Sequence, residues 1–318
     1  MVFSGVFCFV LFLPSIYVIV ASGECLVGVL ANGFIGLVNC IDCVKTRRVT
    51  SLDFILTGLA ISRIGTLLSL ITSNIFLFGL KSNSIRHLVY LEVIWNLSSH
   101  SSAWFGSCLS VFYFLKIATF SHPAFLWLKW RINKVVLRML MGCWLISLLI
   151  ILTMAARIAK IKIVSIDQGN ETVTHNNQEF KTLKFPTLII SSTGGSVPFA
   201  LSLCSCFLLI LSLWRHTQQM RLRVMGSRDP STEAHVRAMK AIVSFLFLFV
   251  LYHLGIIMAV FNLSMLHSKL VAMFSLMIMN VYPMTHSIIL ILGHSKLREA
   301  SVRVLGKLTD CLKVPGKV

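Results

Sequence analysis

Charged residues are scarce in this chain of 318 residues: only 13% of them are Asp, Glu, Lys or Arg, and only 11 are acidic. Soluble domains usually carry about 25% charged residues. Hydrophobic residues make up 56% of the chain and its mean hydropathy is +0.84. A water-soluble or disordered protein of this composition is excluded, because so much apolar surface could not be buried. The composition indicates that a lipid bilayer is the solvent.

The sequence also lacks the patterns that catalysis and metal binding need. Its nine cysteines show no zinc-binding spacing, and its intramembrane histidines are not at metal-ligand spacing within a helix. Asp42 and Asp53, the nearest candidates for paired catalytic acids, fall at the ends of apolar runs. We therefore expect no enzyme activity, no metal, no cofactor and no extracellular disulfide framework.

Seven continuous apolar runs are each long enough for a helix to cross a bilayer, which takes about 20 residues. Closed barrels are excluded, since they need short alternating strands. We predict an all-α membrane protein, a seven-transmembrane helix bundle that forms a single receptor domain over residues 1–318. The spans lie at about 18–41, 54–80, 88–115, 135–156, 185–213, 241–261 and 270–292, with a tail at 293–318.

The apolar stretch before Pro14 has no positively charged segment ahead of it, which argues against a signal peptide. An additional span is the alternative, but no polar loop separates this stretch from the next apolar run. We therefore interpret it as an apolar extracellular extension of one long first span. After Leu292 the tail is typical of a basic amphipathic helix on the membrane surface. Its apolar side chains are expected to face the acyl chains: Leu297, Val302, Val304 and Leu308. Cys311 is either a palmitoylation site or a free thiol.

The distribution of Lys and Arg predicts the orientation. One set of loops, together with the tail, holds 20 of these residues and the other set holds 8. Because cytoplasmic loops carry the excess, the N-terminus is expected outside and the C-terminus in the cytoplasm. Asn170 begins an Asn-Glu-Thr glycosylation acceptor in the longest outer loop. The net charge of +18 is explained by these span-flanking residues, so no nucleic-acid partner is expected.

Arg63 lies in the middle of the second span, where a charge costs about 2.5–3.5 kcal/mol on insertion scales. Such a side chain normally faces the bundle interior and finds partners there. The candidates are Asn32 in the first span and Ser287 in the seventh. Two interpretations are compatible: a packing lock between helices, and a switch that rearranges on activation.

Polar side chains in the outer half of three spans predict a ligand pocket. In the third span, Trp95, Ser99 and Ser102 share one helical face. Polar groups facing lipid would be unsatisfied, so a water-accessible cavity for a small, mostly apolar ligand is expected. Helix–helix packing is the alternative for each residue taken singly. The candidate ligand-binding residues are Trp95, Asn96, Ser99, His100, Tyr252, Leu276 and Asn280.

Five sequence blocks resemble the bitter taste receptors, or type 2 taste receptors. The resemblance covers nearly the whole chain from Gly23 onward, and the fourth block is the most specific. The blocks are GFI at 33–35, LAISR at 59–63, FYFLKIA at 112–118, GSRDPSTEAH at 226–235 and HSIILI at 286–291.

The resemblance implies a G-protein-coupled receptor of the plasma membrane that binds small bitter compounds. It implies signalling through a gustducin-type G protein to phospholipase C and calcium, and it allows receptor oligomers. It also implies that Trp95, Ser99, Tyr252 and Leu276 occupy ligand-pocket positions. The residues that it places at the G-protein face are Tyr113, Lys116, His216, His235 and Lys240.

Two other classes of function remain as alternatives. A pheromone-type chemosensory receptor is disfavoured by the GSRDPSTEAH block. A small-solute transporter would be expected to show repeats and broken helix pairs. Only Gly194, Gly195 and Pro198 interrupt a span, the fifth, and no repeat is evident.

The charge distribution makes the topology testable with epitope tags. A tag on the N-terminus should bind antibody on intact cells, and a tag on the C-terminus should bind it only after permeabilisation. Immunofluorescence of both tags on the same cells checks this. The opposite labelling pattern would refute the orientation.

Overall fold

The computed structural model describes residues 2–78, 85–167, 194–215, 218, 230–266 and 268–312. These residues form α-helices and one π-turn, with no strand in the described ranges. The helices are α1 (Val2–Thr46), α2 (Ser51–Phe78), α3 (Ile85–Ile117), α4 (Pro123–Trp130), α5 (Ile132–Asp167), α6 (Gly194–Arg215), α7 (Pro230–Phe261), α8 (Lys269–Gly293) and α9 (Ser295–Leu312). The π-turn, Asn262–Leu266, ends α7.

Six of these helices, α1, α2, α5, α6, α7 and α8, are long and apolar enough to cross a membrane. The helix α3 is equally long, with 33 residues, but it contains six serines and falls short in hydropathy. Large apolar side chains point away from the bundle, among them Ile19, Phe247 and Trp144, which are 72%, 63% and 69% exposed. The expectation of an all-helical membrane protein is confirmed.

The helices extend beyond the apolar runs of the sequence, because hydropathy marks only the part that meets lipid. The helix α1 continues without interruption through Pro14, so the apolar N-terminal stretch is part of the first helix. Polar capping residues determine where other helices begin, and α2 is an example. The Thr50 hydroxyl accepts from the Asp53 backbone N–H at 3.1 Å and donates to the Asp53 carboxylate at 2.6 Å, which starts α2.

The described residues form four core clusters: two large ones, a smaller one at α4, and one that joins α1 to α8 through Tyr17, Ala21 and Met273. One cluster joins α1, α2, α3, α5, α8 and α9 around Ile55 and Cys108, and another joins α2, α3, α6, α7 and α8 around Phe249. The helix α6 packs on α3 and α4, where Leu209, Leu115 and Phe125 belong to one buried cluster. The backbone N–H of Thr119, just after α3, donates to the Ser212 hydroxyl of α6 at 3.2 Å.

One end of the bundle, which we call the basic end, collects the C-termini of α1, α3 and α8, the N-termini of α2 and α5, and the helices α4 and α9. Lys296 on α9 lies 2.7 Å from Asp42 of α1 and 2.8 Å from Asp53 of α2. Burial acts to lower the pKa of Lys296, but hydrogen bonds and charge from Asp42 and Asp53 outweigh it and raise this pKa above its ordinary value.

The amphipathic tail helix forms as expected, as α9, but the assignment of Leu297 to its lipid-facing side is wrong. Leu297 is fully buried in the cluster of Ile55 and Cys108. The ion pairs of Lys296 hold the first turn of α9 against α1 and α2, so the next residue enters the core. Val302 and Val304 are 63% and 46% exposed, as a lipid-facing position requires.

Close packing of α2 on α3 depends on the absence of a side chain at Gly58. A Cβ atom at this position would lie 2.3 Å from Cζ of Phe105. Gly58→Ala should therefore destabilise the protein, because overpacking costs about 1–3 kcal/mol against a gain of about 1 kcal/mol in helix propensity. Thermal unfolding of the purified protein measures the difference.

Gly142→Ala on α5 is the matched control, since nothing lies within 4 Å of its added Cβ. This variant should keep the gain in helix propensity, so its melting temperature should equal or exceed that of the wild type. Combining Gly58→Ala with Phe105→Leu should recover part of the loss. Equal effects of the two glycine substitutions would contradict this account of the α2–α3 contact.

Candidate functional site

The guanidinium of Arg63 joins α2 to α8 in the bundle interior. Arg63 is fully buried. Its Nη1 donates to the Ser287 hydroxyl at 3.0 Å, and its Nη2 donates to the Tyr282 hydroxyl at 3.1 Å and contacts Nδ1 of His286. The guanidinium carbon also lies 5.0 Å from the centre of the Tyr282 ring. All three partners are neutral groups of α8.

Asn32 connects α1 to the same partners without bonding Arg63 directly. Its Oδ1 accepts from the Ser287 hydroxyl at 2.7 Å, and its Nδ2 donates to the carbonyls of Gly28 at 2.7 Å and Pro283 at 3.3 Å. Asn32 and Ser287 are both fully buried. We call the five side chains of Asn32, Arg63, Tyr282, His286 and Ser287 the Arg63 network.

Two members of this network, Tyr282 and His286, were not among the partners that the sequence suggested. They lie one turn apart on α8, so they share the face that meets α2. Both are buried, and their rings stack with centroids 5.7 Å apart. The spacing of four residues, next to Ser287, is the sequence signal that could have identified them.

The predicted outer pocket is almost closed by a contact between α3 and α7. The hydroxyls of Ser99 and Tyr252 lie 2.5 Å apart. Beside them is a cavity of about 10 Å³, lined by Thr66, Ser99, Ser102, Ala103, Phe249, Tyr252, Tyr282 and Pro283. Ligand pockets usually measure about 300–1,000 Å³. This cavity has room for about one water-sized particle.

The other predicted pocket residues lie around the cavity without lining it. Trp95 and Leu276 pack into the apolar cluster of Phe249 and Tyr252. His100 turns toward α5 and α6, with Nδ1 3.0 Å from the Ser147 hydroxyl and Nε2 3.3 Å from the carbonyl of Gly194.

Two buried amides near the pocket are incompletely bonded. Asn96 donates from Nδ2 to the carbonyl of Glu92 at 2.9 Å, but its Oδ1 has no partner. Asn280 is 1% exposed, and neither atom of its amide is hydrogen-bonded in the described part of the chain. Buried amides of this kind are available to a polar group that enters between the helices.

A much larger cavity, of about 370 Å³, lies between α3, α6, α7 and α8 near the basic end. Its lining includes Tyr113, Phe245, His286 and His294. Burial lowers the pKa of His294, which lies just after α8, and the charges of Lys296 and Lys116 act in the same direction while Asp53 opposes them. His286 belongs both to this lining and to the Arg63 network.

Of the predicted G-protein face, Tyr113 lines this larger cavity. Lys116 is exposed, and its amine lies 5.5 Å from the centre of the Phe112 ring. His216 lies outside the described residues, and so do the side chains of His235 and Lys240. The glycosylation acceptor Asn170 also lies outside them.

The described residues contain no group of three His, Cys, Asp or Glu side chains that could hold a metal ion. Their buried polar groups connect one helix to another, and apolar side chains cover the outside of the bundle. These features define the class as a multi-pass helical membrane protein.

Residues 11–309 match the sequence model of the family described as taste receptor protein (TAS2R). Taste receptor type 2 member 7 of Papio hamadryas is 43% identical over 297 residues, which cover 92% of this chain and 93% of the relative. Taste receptor type 2 member 10 of Pongo pygmaeus is 46% identical over 301 residues, which cover 94% and 96%.

The chain belongs to this family, the type 2 or bitter taste receptors, and the resemblance seen in the sequence is confirmed. It is therefore a G-protein-coupled receptor and a multi-pass protein of the plasma membrane, and it is not an enzyme.

The Arg63 network makes a prediction about stability. Ser287→Ala removes an acceptor from Arg63 and a donor from Asn32, and an unsatisfied buried group costs about 1–3 kcal/mol. The melting temperature of the purified receptor and its surface expression should both fall. Ser275→Ala is the control, because Ser275 is equally buried on α8 but donates only to carbonyls of its own helix. Equal losses in the two variants would contradict a special role for Ser287.

Proposed function

We propose that seven helices cross the membrane: α1, α2, α3, α5, α6, α7 and α8. The helix α3 is the seventh span because its serines and His100 face other helices instead of lipid: Ser99, Ser102 and Ser107 are all buried. A helix surrounded by protein does not need an apolar surface all round. An odd number of spans puts the N-terminus and the C-terminus on opposite sides.

We also propose that the basic end faces the cytoplasm. Cationic residues at this end follow the positive-inside rule, among them Lys45, Lys116 and Lys134. The helix α4 adds an interfacial anchor: Trp130 is 91% exposed, and Arg131 lies 4.9 Å from the ring centre of Trp127. Tryptophan beside arginine is typical of the boundary between headgroups and acyl chains.

On this topology we infer that the receptor binds small, mostly apolar bitter compounds between α3 and α7 in its outer half. The observation that supports this best is the Ser99–Tyr252 hydrogen bond, which closes the cavity at these residues. A ligand must separate the two hydroxyls to enter. The ligand-bound and ligand-free receptors then differ in the distance between α3 and α7. A ligand can shift the population toward one conformation only if it binds that conformation more tightly than the other.

A continuous chain of contacts leads from this closure to the basic end. The ring of Tyr252 lies 5.4 Å from that of Tyr282, whose hydroxyl accepts from Arg63. His286, a further partner of Arg63, lines the 370 Å³ cavity. We propose that displacement of Tyr252 rearranges the Arg63 network and widens this cavity for a gustducin-type G protein, which signals through phospholipase C and calcium.

A calcium-release assay in cells that express the receptor with a promiscuous G protein tests the function. Screening a broad panel of bitter compounds should yield agonists. Silence across the panel, with the receptor shown at the cell surface, would contradict the proposal.

With an agonist in hand, Tyr252→Phe tests the closure, because it removes the hydroxyl and keeps the ring. The agonist then has one hydrogen bond fewer to break, worth about 0.5–1.5 kcal/mol, so the half-maximal concentration should fall about 2- to 12-fold. Ser99→Ala should act in the same direction. The double variant should gain no more than either single one, since both remove the same bond.

Ser205→Ala on α6 is the control, because its hydroxyl donates only to the carbonyl of Leu201 in its own helix. Its dose–response curve should match that of the wild type. Weaker agonism in both single variants would show that the hydroxyls bind the ligand directly and would refute the displacement mechanism. Unchanged potency would remove Ser99 and Tyr252 from the pocket.

A further inference from the structure

The positive charge of Arg63 has no counter-charge in the described structure. A guanidinium is not deprotonated in proteins, and this one is fully buried. Its hydrogen-bond partners Ser287, Tyr282 and His286 carry no negative charge. Along α2 the nearest acid, Asp53, is ten residues away, which is about 15 Å of helix, and it is paired with Lys296. A buried charge is normally compensated by one of opposite sign.

The donors of Arg63 are also incompletely used. Its Nε is buried without a hydrogen-bond partner. A guanidinium has five N–H groups, and the contacts to α8 involve only Nη1 and Nη2. The side chain therefore retains both charge and hydrogen-bonding capacity for a further, negatively charged partner.

Arg63 does not line the 10 Å³ cavity, but it is hydrogen-bonded to a residue that does. Tyr282, whose hydroxyl is 3.1 Å from Nη2 of Arg63, is part of its lining. So is Thr66, one helical turn beyond Arg63 on α2. Five of the eight lining residues carry hydroxyl groups, and none is acidic: the five are Thr66, Ser99, Ser102, Tyr252 and Tyr282.

Ser102 is the lining residue that lacks a partner. It is 6% exposed, and its hydroxyl makes no hydrogen bond with any described residue. The Thr66 hydroxyl, by contrast, donates to the carbonyl of Ser62. A hydroxyl without a partner, in a cavity separated from an uncompensated cation by the Tyr282 side chain, is a donor for an anion that occupies the cavity.

We propose that this cavity, the hydroxyl cavity, binds one small inorganic anion, and that chloride is its natural occupant. A metal cation is excluded by repulsion from Arg63. In the closed form seen here the cavity has room for about one water-sized particle, so a carboxylate-bearing organic compound does not fit. Chloride is somewhat larger than water and fits after a small outward shift of the lining side chains. The bound anion accepts from Ser102 and neighbouring hydroxyls and supplies the negative charge that Arg63 lacks.

The test measures the melting temperature of the purified full-length receptor in sodium chloride and in sodium gluconate at constant ionic strength. Gluconate is too large for the cavity and serves as the inert anion. Chloride at about five times its dissociation constant should raise the melting temperature by about 1–2 °C in a saturable manner. Bromide should act like chloride. The absence of any difference between chloride and gluconate would refute the site and leave water as its occupant.

Ser102→Ala should reduce the chloride-dependent rise by at least half. The matched control is Ser107→Ala, because Ser107 is buried on the same helix, has an unpartnered hydroxyl and does not line the hydroxyl cavity. It should retain the full rise. An equal rise in Ser102→Ala and the wild type would identify a general salt effect and overturn the proposal.

Ser102→Asp provides a fixed negative charge at the same place. It should abolish the chloride dependence, and its melting temperature in gluconate should reach at least that of the wild type in gluconate. Persistence of the full chloride response in this variant would overturn the proposal. Both substitutions leave Arg63 in place, so the test does not require a receptor that folds without its buried guanidinium.

Discussion

A single guanidinium in a medium that cannot solvate it organises the centre of this receptor. Leaving such a charge without partners inside a protein costs several kcal/mol. Arg63 obtains its partners from α8, and Asn32 binds the same hydroxyl from α1. The contacts of α1 with α2 and α8 can therefore form in one register only, because a shift of one turn in any of the three helices would remove a partner. Apolar packing alone does not impose a single register, because one apolar side chain can take the place of another at a helix contact.

Several features of this arrangement could be predicted from the sequence, because a bilayer makes polarity informative. The apolar runs located the membrane helices, and the position of Arg63 in such a run implied that it is buried. Ser287 was one of two partners that could be suggested from the sequence, and it does accept from Arg63. Tyr282 and His286 were missed because which face of α8 meets α2 depends on its rotation about its own axis, and hydropathy does not determine that rotation.

The same limitation explains Leu297 and His100. In water an apolar side chain signals burial, but in a membrane protein it suits lipid and protein neighbours equally. Leu297 is buried because Lys296 binds two carboxylates on other helices, a tertiary contact that periodicity does not reveal. His100 is directed to α5 and α6 by Ser147 and the carbonyl of Gly194. The positions of those groups relative to α3 depend on the assembled bundle.

The helix α1 is far longer than a membrane crossing requires. Its 45 residues correspond to about 68 Å at 1.5 Å per residue, whereas a bilayer with its headgroups is about 40–45 Å thick. A helix of that length cannot stand upright with all its apolar surface in hydrocarbon. It has to lean strongly or extend beyond the headgroups, and leaning is limited because α1 packs on α8 at two levels, at Tyr17 and Ala21 and at Asn32. The hydrophobic mismatch therefore falls on the first turns of α1, and thicker, sterol-rich membranes accommodate this helix better than thin ones.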